Sequence, residues 1–338
     1  MYDKTASAFR CTKSNQFSDL DTKELIRYAT LAASSHNSQP WKFRIEQNTI
    51  TILPDYSRRC PAVDPTDSHL FKSLGCATEN LVYAAAAQGY SSEVRFDPRE
   101  NAITIVTKHD SSAHATDLYH AITKRQCTKI AYNGEALTKS ELETLIKAGE
   151  RGNVRSIMLL TSEQKDVVID FVTKGNIAQL TDRSFRDELV SWIRFNPDEA
   201  LSKRDGLSGR TTGQPSLPSW LSKLINKLVL TPKRQAKTDA TNIRSSAGIA
   251  VFVSSHNDKA AWVEVGRAYE RFALQATVLN IRTAFINQPI EVPTLLPQFE
   301  SWLNLNGEHA LLMVRFGHGS TAPYSLRRPI KDVLIVNN

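Results

Sequence analysis

Two long stretches of the chain carry apolar residues at three- and four-residue spacing. Phe71, Leu74, Leu81, Val82 and Ala85 mark one between Ser68 and Gln88. Trp262, Val265, Tyr269, Phe272, Ala273 and Ala276 mark the other between Lys259 and Leu279. That spacing predicts two amphipathic helices. Gly89 and Asn280 follow them, residue types that tolerate the left-handed conformation ending a helix. Strand-like runs come next, Glu93 to Phe96 and Ile103 to Val106 after the first helix, Arg282 to Ile286 and Ala310 to Phe316 after the second. Upstream, each long helix is preceded by a shorter helix (Thr22 to Ala32; Lys139 to Ala148) and a strand (Thr49 to Leu53; Ser156 to Thr161). The plan therefore repeats, at a period too long for a solenoid. The expected fold is α+β, with two similar halves in one chain, residues 20–112 and 113–330, whose long helices pack as they would in a dimer.

Composition changes this picture in one place. The chain has 338 residues and a net charge of +7. Between Lys203 and Arg244 lie nine basic residues against two acidic ones, so this stretch holds all of the excess. It also contains Gly206, Gly209, Gly213, Pro215, Pro218 and Pro232. An inserted loop at about 200–244, with one short helix around Leu217 to Leu230, is expected to form a solvated lid or partner surface. Trp220 is its single aromatic, which argues against a nucleic-acid stacking platform. No apolar run reaches membrane-spanning length, and Met1 to Arg27 lacks a secretory core, so a cytoplasmic location is expected. Cys11, Cys60, Cys76 and Cys127 show no CxxC spacing and read as reduced thiols; no metal site is expected.

Candidate chemistry begins at Ser34-Ser35-His36-Asn37-Ser38-Gln39-Pro40-Trp41, after the first short helix. Hydroxyls, amides and freed backbone groups, without a nucleophile–base pair, suit a planar ring rich in heteroatoms. The same residues also suit an Asx turn feeding a strand. The segment resembles the Ser-Ser-x-Asn-x-Gln-Pro-Trp turn of the nitroreductase-like flavoproteins, which lies against the isoalloxazine of FMN. Further along, Arg125-Gln126-Cys127-Thr128-Lys129-Ile130-Ala131-Tyr132 is similar to that family's Arg-x-Ser-x-Lys/Arg-x-Phe/Tyr motif. Arg125 can fork two N–H donors onto a phosphate, and Lys129 can set a cation near the ring. Gln288-Pro289-Ile290-Glu291 resembles the Pro-Ile-Glu-Gly segment whose backbone N–H meets flavin N5, with Val292 in place of the glycine. Arg327-Arg328-Pro329 matches the basic return to the phosphate.

The resemblance implies cofactor contacts from Ser34, Ser35, Asn37, Gln39, Arg125, Gln126, Cys127, Lys129, Pro289, Ile290, Glu291, Arg327 and Arg328. Each half holds one part of the site, so one FMN per chain is expected. The central segment points to the fused, lid-bearing Acg-type branch. The implied activity is NAD(P)H-dependent two-electron reduction of a quinone or small nitroaromatic acceptor, by ping-pong hydride transfer through flavin N5. No side chain is named as catalytic, because the flavin does the chemistry. Three other readings remain: an FMN-sequestering protein with an occluded flavin, a nucleic-acid or acidic-surface module built on the basic stretch, and a cysteine hydrolase using Cys76 or Cys127. Nucleic acid and membrane are not expected partners, and association into a homodimer is left open.

Overall fold

The computed structural model describes residues 1–11, 20–212 and 231–335. The chain builds two four-stranded antiparallel sheets. The first holds β1 (Trp41–Glu46), β2 (Thr49–Pro54), β3 (Tyr90–Asp97) and β4 (Ala102–His109) in the order β1-β2-β4-β3. The second holds β5 (Val154–Leu159), β6 (Gly248–Ser254), β7 (Ile281–Phe285) and β8 (His309–His318) in the order β5-β6-β8-β7. Numbered within each half, the two orders are the same. Each half also sets a long helix between its second and third strands, Ser68–Ala87 in the first and Lys259–Val278 in the second. Gly89 and Asn280 end these segments at φ values of 84° and 60°, where glycine and asparagine are tolerated best.

The two long helices cross at a pair of glycines. Gly75 and Gly266 each lie seven residues beyond the first residue of their helix, Ser68 and Lys259. A Cβ on Gly75 would stand 2.1 Å from the Val263 carbonyl oxygen, and one on Gly266 would stand 2.0 Å from that of Lys72. Those carbonyls in turn belong to residues four beyond each helix start, so the contact is reciprocal, as in an isologous interface. Buried Glu79 and Glu270 occupy equivalent places eleven residues beyond each start. Glu79 accepts from Arg267 at 2.9 Å and from Arg271 at 2.8 Å, and Glu270 lies 2.8 Å from Arg125. Leu74, Leu81, Val265 and Phe272 from the two helices, with Ile103 and Phe252 from the two sheets, form one continuous core.

Chain segments also cross between the halves. The tail runs beside the edge strand β1, where the Ile335 N–H donates to Phe43 O at 2.8 Å, which protects an otherwise open sheet edge. Thr128 N–H donates to Thr283 O at 2.9 Å, so the segment after Arg125 runs beside β7. The helix Tyr2–Arg10 brings Arg10 to the Thr123 and Arg125 carbonyls at 3.0 and 3.1 Å.

The basic stretch differs from the expected loop. Its anticipated helix at Leu217 to Leu230 lies outside the described residues, but Pro232–Arg244 forms a helix that the glycine and proline content concealed. Thr231 caps it, Pro232 sits in the first turn where no N–H is needed, and Asp239, Asn242 and Ile243 are buried. It packs on the helix Ser162–Thr181, where Asn176 Nδ2 donates to Asp239 at 2.8 Å. Val168, Phe171 and Val172 of that second helix close a separate core against Val251 and Val253 of β6. Among the described residues, no helix is long and apolar enough to cross a membrane.

Candidate functional site

The Ser34–Gln39 turn is a knot of backbone and side-chain bonds in which His36, Asn37 and Gln39 all have positive φ, at 49°, 54° and 54°. Ser34 Oγ accepts from the Gln39 N–H at 3.1 Å, and the half-buried Ser35 supplies a carbonyl to Ser38 N–H at 2.8 Å. Asn37 Nδ2 donates to the carbonyls of Gly206 and Leu326, each at 3.2 Å. Gln39 donates to Arg204 O at 2.9 Å and accepts from Arg328 N–H at 2.8 Å. The turn thus joins three parts distant in sequence: its own half, the central segment at Arg204–Gly206, and the tail at Leu326–Arg328. Asp205 locks the central segment further, through Arg194 at 2.6 Å and through Arg58.

Arg125 and Arg327 meet behind this turn. Arg125 donates to Leu31 O at 2.8 Å. Arg327 donates to the carbonyls of Thr30, Leu31 and Ala32 at 2.7, 3.0 and 3.1 Å, and to Asn37 Oδ1 at 3.0 Å. It therefore satisfies the carbonyls left open at the end of the helix Thr22–Thr30. Arg328 binds Gln39 O at 3.1 Å and Asp55 at 3.4 Å. Gln126 accepts from Ala322 N–H at 2.7 Å, and Cys127, half-buried, lies beside Thr283. Lys129 is exposed, and its carbonyl accepts from Asn242 Nδ2 at 3.1 Å. Pro289 is buried in the short helix Gln288–Glu291, and Ile290 packs on the second core. The Glu291 N–H donates to Asn287 O at 2.9 Å within that helix.

Electrostatics separates two regions. In the first, Arg10, Arg125 and Arg327 are buried around a single carboxylate, Glu270. Burial, reinforced by the neighbouring Arg125 charge, pushes the Arg327 guanidinium down to about 9. Arg10 is lowered by burial and then by Arg327 and Arg125. Arg10 Nε and Arg125 Nε have no hydrogen-bond partner, and Arg125 Nε meets Glu270 at close range without hydrogen-bond geometry. A cavity of about 490 Å³, lined by Lys4, Phe9, Arg204, Leu326 and Arg327 among others, opens beside this cluster. In the second region, burial raises the Glu291 carboxyl to about 7, with Asp64 adding to the rise against a 2.7 Å bond from Gln179. His69 Nε2 lies 3.8 Å from Glu291, and burial lowers that imidazole.

No family model matches the chain. A Mycobacterium tuberculosis H37Rv protein with the provisional name NAD(P)H nitroreductase Rv3131 is 22% identical over 329 residues, covering 94% of this chain and 92% of its own. The protein of the same organism provisionally named NAD(P)H nitroreductase acg is 30% identical over 79 residues, 23% of this chain and 24% of its own. The chain is similar to these two proteins, to the first of them over most of its length. Similar solved structures include a nitroreductase with bound FMN from Bacteroides fragilis, at 13% identity and a TM-score of 0.35, covering 61% of this chain and 90% of that one. Another is the Vibrio harveyi NADPH:FMN oxidoreductase complexed with NAD⁺, at 12% identity and a TM-score of 0.41, covering 66% and 78%.

Sequence reading passed over several groups that the fold brings to the site: Arg10, Glu270, Gln179, His69 and Lys72. Glu270 carried a readable signal, a carboxylate on the apolar face of a long helix, where an unpaired charge is costly.

Proposed function

We propose that the protein is an FMN-dependent NAD(P)H oxidoreductase that reduces a quinone or nitroaromatic acceptor. The observation that carries the reading is the group of three buried guanidiniums around one carboxylate, next to the Ser34–Gln39 turn and a cavity within the size range of small-molecule sites. One carboxylate balances only part of this positive charge. A phosphate would accept from the unpartnered donors and relieve the repulsion that lowers Arg10 and Arg327. FMN supplies the two-electron carrier between hydride donor and acceptor when bound. On this reading Arg125, Arg327 and Arg10 hold the phosphate, and Ser34, Ser35, Asn37 and Gln39 shape the wall for the ring. Lys129 sets a positive charge at its pyrimidine end, and Gln288–Glu291 lines the reactive edge. The names of the mycobacterial relatives support the activity.

A second reading is favoured by one specific observation. Asn37 and Gln39 spend their amides on Gly206 and Arg204, so the central segment is fastened to the wall where the ring would lie. That arrangement suits a protein that holds FMN yet restricts hydride donors. The purified protein separates the two. Released cofactor is identified and quantified against protein, and NAD(P)H oxidation is followed with a quinone or nitroaromatic acceptor. The oxidoreductase reading expects FMN near one per chain with turnover; a bound but idle flavin supports sequestration. FAD, two FMN per chain, or a colourless protein that FMN does not load contradicts both.

A further inference from the structure

Beside the turn, and apart from the arginine cluster, three side chains of different kinds converge. A ring nitrogen of His36, the Cys60 sulfur and a Glu188 carboxylate oxygen all lie within 4.8 Å of one another. They come from three separate places: the Ser34–Gln39 turn, the loop after β2, and the helix Arg183–Trp192. We infer that His36, Cys60 and Glu188 form a site for one zinc ion, with a fourth position open to water.

The donor chemistry fits that ion. Nitrogen, thiolate and carboxylate together are a zinc ligand set, and three protein ligands with one open place is a familiar zinc arrangement. His36 is ready as a ligand, since its Nε2 is buried without a hydrogen-bond partner. A divalent ion would bind the Cys60 thiolate and displace its proton.

The supporting contacts are also in place. Trp192 presents its indole N–H to the Cys60 sulfur, and that group can only donate. Glu188 is oriented by the Ala62 and Val63 N–H groups at 2.8 and 3.2 Å. Outer partners of this kind hold first ligands in position. Tetrahedral zinc with bonds of about 2.0 to 2.3 Å requires ligand atoms roughly 3.3 to 3.5 Å apart. Closing from the present spacing takes rotamer-scale movement of the Glu188 and Cys60 side chains. The inference does not rest on the flavin reading.

The test uses the full chain as purified, stripped with a chelator and titrated with Zn²⁺ against a chromophoric competitor. X-ray absorption at the zinc edge then reports the ligands. We expect one zinc per chain with a single sulfur neighbour. Cys60→Ser should abolish the sulfur signal and weaken binding at least tenfold, His36→Gln should weaken binding to the same extent, and Cys11→Ala, at an exposed thiol, should change neither signal nor affinity. His36→Gln covers the case in which the Cys60 variant does not fold. Failure of the wild type to compete for zinc, binding without sulfur, or binding that survives both variants and disappears with Cys11→Ala overturns the site.

Discussion

At the scale of single residues, the buried charges make the sharpest statements. Glu291 has its carboxyl raised from 4.5 to about 7, chiefly by burial. Below 4.5 both folded and unfolded chains hold this proton, and no stability is at stake. Between 4.5 and about 7 the unfolded chain releases it while the folded chain keeps it, so stability falls as pH rises through that window. Glu291→Gln keeps an acceptor for Gln179 and removes the ionisation. We expect the variant to match wild type near pH 4 and to exceed it by about 3 kcal/mol above about pH 7.5, measured by urea unfolding at matched flavin content. A constant difference across pH would show that the carboxyl is not the group responsible. Arg125 makes a different prediction. Arg125→Ala should weaken FMN by about 1.5 to 3 kcal/mol and riboflavin far less, in fluorescence titrations of the two. Equal losses would place this guanidinium outside the phosphate grip and leave it only its bond to Leu31 O and its pairing with Glu270.

Elements show what could be read from the sequence. The helices Ser68–Ala87 and Lys259–Val278 were legible because their apolar spacing is regular, and their stops because Gly89 and Asn280 suit positive φ. The strand β6 was not, since Gly248–Ser254 is buried on both faces and shows no alternation. The helix Ser162–Thr181 escaped notice although Thr161 and Gln164 form a capping box ahead of it. This cost part of the site, because Gln179 of that helix holds Glu291, and Gly175 allows Gln288 within 2.5 Å of where a Cβ would stand. Residue types at the Ser34, Arg125, Gln288 and Arg327 motifs were plain in the sequence. Their partners were not, because Glu270, Arg204 and Gly206 reach them only through tertiary structure. The crossing of the long helices offers its own test. Gly75→Ala and Gly266→Ala each press a methyl into a backbone carbonyl that cannot rotate away, so each should cost about 2 to 3 kcal/mol. Combined, they should cost clearly less than the sum, since one separation of the helices relieves both. Strict additivity in denaturant unfolding would show that the two contacts yield independently.

The whole molecule poses the question of how the halves depend on each other. We read the shared sheet order, the equivalent glycines and the equivalent glutamates as two related units fused into one chain. Each half leaves work for the other: Glu79 of the first takes Arg267 and Arg271 of the second, Glu270 of the second accepts from the Ala33 N–H of the first, and the tail closes the edge of β1. Either half on its own would expose the apolar side of its long helix, and the first would strand Glu79 without its cations, the kind of defect that costs several kcal/mol. Dividing the chain in the exposed turn at Ser112 removes none of these contacts. We therefore expect residues 1–112 and 113–338, produced together as separate chains, to purify as a one-to-one complex that retains one FMN. Either piece produced alone should fail to unfold cooperatively and should bind no flavin. Sedimentation and released-flavin assays decide the matter. A first piece that is stable and monomeric alone, or a second piece that loads FMN without it, would mean that the site is not shared and that the fusion reading is wrong.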